Sequence, residues 1–478
     1  MTAASIAFAA LLFAQSPQPE GAMPAPAAPA PEAASPTRPL LTLKDALELA
    51  RRQNLDLKQV NARIDEARQL SWKAWSNYLP QIALSGTYTR NETQVDFPFT
   101  TGYYVTSCTV QGPNCPPPPA GTPTGTPYDV ANQPSSQIVE PVQVLNQGQA
   151  QLAVNQAIIA PTAWSGIANA YTQQRVTNLN SDQQKRDLLF SVAQLYYSLA
   201  SLRQLALVQE RQLELTRERE RDARVRYNAG TTAKVGLLRA EIDRAQAEED
   251  LKRAQIDYRK AKVSLATALA RDDDFEVENP TSPKAPEGKN LAEQAMDLRP
   301  DVKAAEENLH LAEGQRTQAF MQYLPNIGAF FKVLYSNVTI FTGQTYVWQA
   351  GLGLTWNILD GGLREATIRE ADARIAETRA ARDSLDLHTA ENVKQFQLDL
   401  EAAIANRAKA QERTDFAREN AKLVDVAYKA GASTYLESTD SIQTLRQAEV
   451  TLVAESLNVD LATLRLLNAA GVLEEVNN

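Results

Sequence analysis

The chain has 478 residues, 44% of them apolar and 22% charged, enough to build a substantial ordered core. Its formal charge of −9 includes no long basic block, which argues against nucleic acid as the main partner. Mean hydropathy is −0.36 and no long uninterrupted apolar window exists, so no transmembrane helix is expected, and two cysteines with two histidines leave little material for a zinc site or a Cys/His nucleophile pair.

Residues 6–14, IAFAALLFA, have the apolar core of a secretory signal, although the first basic residue is Arg38. We read 1–16 as a signal peptide and 17–40, rich in Pro and Ala, as a leader that cannot bury a core. A helix is predicted over 41–79 and is stopped by Pro80, whose ring lacks a donor N–H. Strands follow at about 81–99 and 138–159. In the first, Ile82, Leu84, Gly86 and Tyr88 alternate with Gln81, Ala83, Ser85, Thr87 and Thr89. In the second, Ala150, Leu152, Val154 and Ile158 oppose Gln147, Gln149, Gln151 and Asn155, a face rich enough in Gln to meet water. A Pro/Gly/Thr-rich loop from about Thr100 to Gln137 separates them.

After Pro161, residues 162–228 hold one Gly and no Pro, and a helix of that length reaches about 100 Å. Leu188, Val192, Leu195, Leu199, Leu202, Ala206 and Leu213 give it a coiled-coil seam. A turn at Ala229-Gly230 returns the chain into a helix over 233–271. The order then recurs. A helix over 290–324 ends at Pro325, strands follow at about 326–341 and 344–358, and Gly361-Gly362 leads into a helix over 363–429. Ala430-Gly431 turns it into a last helix over 434–470. In the return strand Tyr346, Trp348, Ala350, Leu352, Leu354, Trp356 and Ile358 make one apolar face.

The recurrence is visible residue by residue. Tyr78-Leu79-Pro80 matches Tyr323-Leu324-Pro325 at an offset of 245, and the segment from Tyr227 matches that from Tyr428 at an offset of 201. The repeats span 41–285 and 286–478, and the difference in offset falls on the enlarged loop. From Tyr346 to Trp356 is roughly 33 Å of strand, which tilted by about 45° spans about 24 Å and matches a lipid-facing band. A soluble sandwich also alternates, but aromatic residues at both strand ends favour lipid. Four strands cannot close a barrel, because open edges are not tolerated in lipid and small barrels need at least about eight strands, so several copies must contribute.

The opening from Leu43 to Leu57, the YLP before each strand pair, the segment Leu354 to Gly362 and the paired Tyr-x-Ala-Gly turns together resemble the TolC-type outer-membrane efflux proteins, from about Leu41 to Gly471. The resemblance implies a mainly α chain with a small β part. It implies a homotrimer whose twelve strands close one barrel in the outer membrane of a Gram-negative bacterium, continued by an α-helical barrel across the periplasm. The function implied is an exit duct for substrate delivered by an inner-membrane pump and a periplasmic adaptor. By the same likeness Gly230, Thr231, Thr232, Gly431, Ala432 and Ser433 form adaptor-docking tips, and Tyr428, Glu437 and Asp440 form the periplasmic gate. Ser433 stands where a basic residue is often found. Pro80, Pro161, Pro325, Gly361 and Gly362 mark strand–helix transitions. The likeness puts the enlarged loop on the oxidising cell exterior, where a Cys108–Cys115 disulfide is expected over two free thiols. His310 and His388 stand alone in helical patterns, and the Gly361-Gly362 pair lacks phosphate-loop spacing, so no enzyme, cofactor or metal site is expected. The competing reading is a soluble coiled-coil scaffold.

Overall fold

A computed structural model describes residues 40–100, 105–109, 117–118, 120–131, 137–272, 274–286, 290–339 and 344–472. The expected signal peptide, most of the leader and Cys115 lie outside the described residues. The chain opens with β1 (Leu40–Leu41), α1 (Leu43–Gln53) and α2 (Leu55–Ser76), so the single helix predicted over 41–79 is in fact two. Asn54 makes the break. Its backbone is extended, its side chain accepts from Leu57 N at 3.0 Å, and its Nδ2 donates to Ala268 O at 2.7 Å, so it caps α2 while tied to a distant helix end. A Thr42–Asp45 capping box starts α1.

β2 (Gln81–Arg90) is followed by β3 (Val95–Thr100), β4 (Val105–Cys108), β5 (Tyr128–Ala131), β6 (Gln137–Gln143) and β7 (Asn146–Ile159). The strands predicted over 81–99 and 138–159 are therefore each interrupted, near Asn91 and Val144. Asn91 closes the interruption with its backbone N–H on Leu145 O and its Nδ2 on Val144 O, both at 2.8 Å. Beyond it β3 pairs with β6, and β4 with β5, as two-stranded ribbons.

α3 (Pro161–Asn228) and α4 (Lys234–Ala268) complete the first half, and β8 (Glu276–Val277) pairs parallel with β1. The second half holds α5 (Leu291–Leu298), α6 (Pro300–Met321), β9 (Asn326–Ser336), β10 (Tyr346–Thr355), α7 (Leu363–Lys429) and α8 (Tyr435–Ala469). The helix predicted over 290–324 is also two. Pro300 forces Arg299 into an extended backbone and then serves as the first residue of α6, where its missing N–H costs nothing.

β10, β9, β7 and β2 form one antiparallel sheet in that order, which leaves β10 and β2 as its two edges. The register sorts the side chains. Ile82 pairs with Val154, Leu84 with Leu152, Leu152 with Val333, Val154 with Phe331, Phe331 with Ala350 and Val333 with Trp348. One predominantly apolar face results, broken by Gln156 in the row of Leu352 and Ala329, and Leu84, Trp348 and Leu352 on it are 78%, 69% and 75% exposed. Ser85, Gln151, Gln149 and Gln349 lie on the other face. Below the sheet a core gathers Leu47, Val192, Tyr196, Leu199, Leu265, Phe275, Val277 and Leu464 from both halves. Tyr196 Oη donates to Leu41 O and Glu278 O at 2.8 and 3.0 Å, fixing the β1–β8 pair to α3. A second core joins α5, α7 and α8 through Leu291, Val393, Leu400, Val459 and Leu466.

Candidate functional site

The two helix hairpins end in matching turns. Thr231 N–H bonds to Arg226 O and Gly230 N–H to Tyr227 O, both at 3.0 Å, while Ala432 and Gly431 repeat the pattern on Ala427 O and Tyr428 O. This double closure needs a left-handed residue after the cap, and Gly230 and Gly431 supply it at φ of 72° and 77°. The helices that follow differ. α4 starts at Ala233 without a side-chain cap, whereas α8 starts at Thr434 with a capping box to Glu437.

Glu437 thereby turns its carboxylate toward its own helix start. It accepts from Thr434 N–H at 2.8 Å and from Ser433 Oγ at 2.7 Å, and these donors, the Thr434 amide first, hold its carboxyl below the usual range. The value in the fold lies below that in the unfolded chain, so the stabilisation is complete above the ordinary carboxylate range and fades as pH falls through the lowered value. Thr434→Ala should cost about 1 kcal/mol, seen as faster amide exchange in the first turn of α8 with the rest of that helix unchanged. Asp440, one turn on, is exposed, and its carboxylate makes no hydrogen bond or ion pair among the described residues.

Tyr428 is the buried centre of the tips, 7% exposed. The Arg219 and Arg226 guanidinium carbons lie 5.1 and 4.7 Å from its ring centroid, and Tyr435 meets it edge-on at 6.3 Å. Arg219 reaches from α3 to Asp425 of α7 at 2.6 Å and also donates to Ser438 of α8. Lys429 shares Asp425 at 2.8 Å. Tyr435 Oη donates to Asp243 of α4 at 3.0 Å, and burial pushes its hydroxyl up to about 12. Arg446 of α8 binds Asp250 of α4 at 3.0 Å. Four helices are thus knit by charged hydrogen bonds around one ring. Sequence reasoning named Tyr428 and missed Arg219, Asp425, Tyr435 and Asp243. A signal was present, because Arg224 and Asp425 occupy one position of the 201-residue repeat with opposite charge.

At the other end of the helices, Pro80 and Pro325 directly precede β2 and β9, Pro161 is the first residue of α3, and Gly361 and Gly362 have φ of 71° and 91°. Arg364 secures the last junction: it pairs with Asp360 at 2.7 Å, donates to Ile358 O at 3.0 Å and lies 4.4 Å from the Tyr323 ring centroid. Cys108 is buried and disulfide-bonded. His310 and His388 lie exposed beside glutamates of their own helices.

Very long helix hairpins are thus joined to a two-faced sheet that ends in β10 and β2. Residues 291–472 match the family described as outer membrane efflux protein. Protein CyaE of Bordetella pertussis is 28% identical over 237 residues, 46% of this chain and 48% of CyaE, so the chain spans about half of that relative's length. Outer membrane efflux protein BepC of Brucella suis is 23% identical over 310 residues, 64% of this chain and 68% of BepC. Among solved structures, the outer membrane protein VceC of Vibrio cholerae matches with a TM-score of 0.68 at 17% identity, covering 90% of this chain and 96% of VceC. The open-state outer membrane channel MtrE of Neisseria gonorrhoeae matches with a TM-score of 0.70 at 19% identity, covering 90% and 89%. The resemblance seen in the sequence therefore holds: the second half carries an outer membrane efflux protein domain, and the fold is that of TolC-type channels.

Proposed function

We propose that the chain is one subunit of a homotrimeric exit duct in the outer membrane of a Gram-negative bacterium. It passes substrate from an inner-membrane pump and a periplasmic adaptor to the cell exterior, as in tripartite efflux or type I secretion. The observation that carries this reading is the sheet: among the described residues both edges are unpaired and its apolar face is open, so lipid and further copies are what satisfy it. Three copies supply twelve strands. Exposed Ile242 and Val263 on α4, with Leu398, Phe416 and Leu423 on α7, support a helical barrel in which neighbouring copies cover them.

In this reading the helices descend through the periplasm, and the turns at Gly230, Thr231, Thr232, Gly431, Ala432 and Ser433 meet the adaptor. The network around Tyr428 holds the tips closed, and Asp440, the less committed of the two carboxylates, faces the passage. Asp440→Ala should raise single-channel conductance in planar bilayers and weaken block by multivalent cations by about threefold or more. Unchanged currents and block would remove Asp440 from the gate. Recovery of the full chain as a water-soluble monomer would sink the duct itself.

A further inference from the structure

The water-facing side of the four-stranded sheet carries a single charge in its middle. β2, β7, β9 and β10 contain no Asp or Glu, and their basic residues are Arg90, at the far end of β2, and Lys332 within β9. Arg90 is tied to Asn146 Oδ1 at 2.8 Å. Lys332 lies six residues past the start of β9, about 20 Å along the strand. It stands opposite Gln349 of β10 and Ala153 of β7, and Ala153 stands opposite Ala83 of β2. That row belongs to the polar face, so Lys332 projects away from Phe331, Val333, Trp348 and Leu352. It makes no ion pair among the described residues.

Its position is built. Lys332 Nζ lies 5.3 Å from the centroid of the Phe330 ring. Phe330 in turn rests against Gly351 of β10, where an added Cβ would come within 2.8 Å of Phe330 Cζ. The bare glycine seats the ring, and the ring seats the ammonium group against the wall.

We propose that Lys332, repeated by every copy in the closed barrel, forms a cationic ring in the lumen that contacts anionic solutes, carboxylates or phosphates, on their way out. The inference rests on the duct reading above. Basic rings favour anions, and walls of low dielectric concentrate their field. With carboxylates at the helix tips, the duct then opposes two signs of charge, one at each end.

The test is tripolyphosphate block of purified full-length protein in planar bilayers, with the probe added to each side in turn. Wild type and Lys332→Arg should be blocked from the barrel side, and Lys332→Gln should need about tenfold more tripolyphosphate for half-block, with cation block at the opposite end unchanged. Lys332→Arg retains the charge, so its block guards against a folding artefact. Equal block of wild type and Lys332→Gln, or no block of wild type, overturns the proposal while leaving the duct standing. Recovery of the protein as a water-soluble monomer would overturn the duct and this ring with it.

Discussion

Leu352→Arg should abolish outer-membrane assembly. Leu352 sits in the middle of β10 on the apolar face, opposite Ala329 and two residues from Leu354. An arginine on the lipid face near the bilayer midplane costs about 2–4 kcal/mol. Every copy in a closed barrel carries the change, so for three copies the cost is about 6–12 kcal/mol, comparable with the whole stability of a typical domain. Fractionation followed by native electrophoresis should find no membrane-embedded oligomer. Gln151→Arg, on the opposite, polar face of β7, is the matched control and should assemble at close to normal yield. If both variants assembled equally well, or if Leu352→Arg merely improved solubility, the apolar face would not be meeting lipid.

Arg219→Met should open the tips. The substitution keeps the aliphatic stem and removes the guanidinium, so packing is largely retained while the bonds to Asp425 and Ser438 and the cation over Tyr428 are lost. Hydrogen bonds between charged groups contribute about 1.5–3 kcal/mol, and Lys429 remains as a second partner for Asp425, which offsets part of the loss. A net change near 2 kcal/mol shifts a closed–open balance by about thirtyfold. Single-channel recordings should show longer open dwell times, with Arg219→Lys intermediate because a point charge cannot fork between two acceptors. Closed-state currents unchanged in an intact oligomer would place this network outside the gate.

Much of the fold was legible because punctuation and period agree. Pro80, Pro325, Gly230 and Gly431 stop elements where their backbones demand it, and the two-residue alternation in β2, β7 and β10 became one sorted face once the register was known. The repeat helped, since each half checked the other. The helix breaks at Asn54 and Pro300 were not legible, for different reasons. Asn54 acts through a bond to Ala268, far away in the chain, and Pro300 is compatible with a helix start, so helical periodicity runs across it. The site was legible only at Tyr428 and the turns. Arg219 and Asp425 are 206 residues apart, and on their own helices each reads as part of a solvated charged face. Glu437 was recognised as acidic and near the tip, but its commitment to Thr434 and Ser433 depends on side-chain geometry that spacing alone does not settle.

The unpaired margins of β2 and β10 also bear on how the molecule comes to exist. A lone copy that folded its sheet ahead of its neighbours would offer two rows of unsatisfied amides and carbonyls, a template for any extended segment nearby. In the proposed duct, productive maturation then requires that docking between subunits and entry into the bilayer proceed together, and overproduction should fill the cell with aggregates rather than with a reserve of folded single subunits.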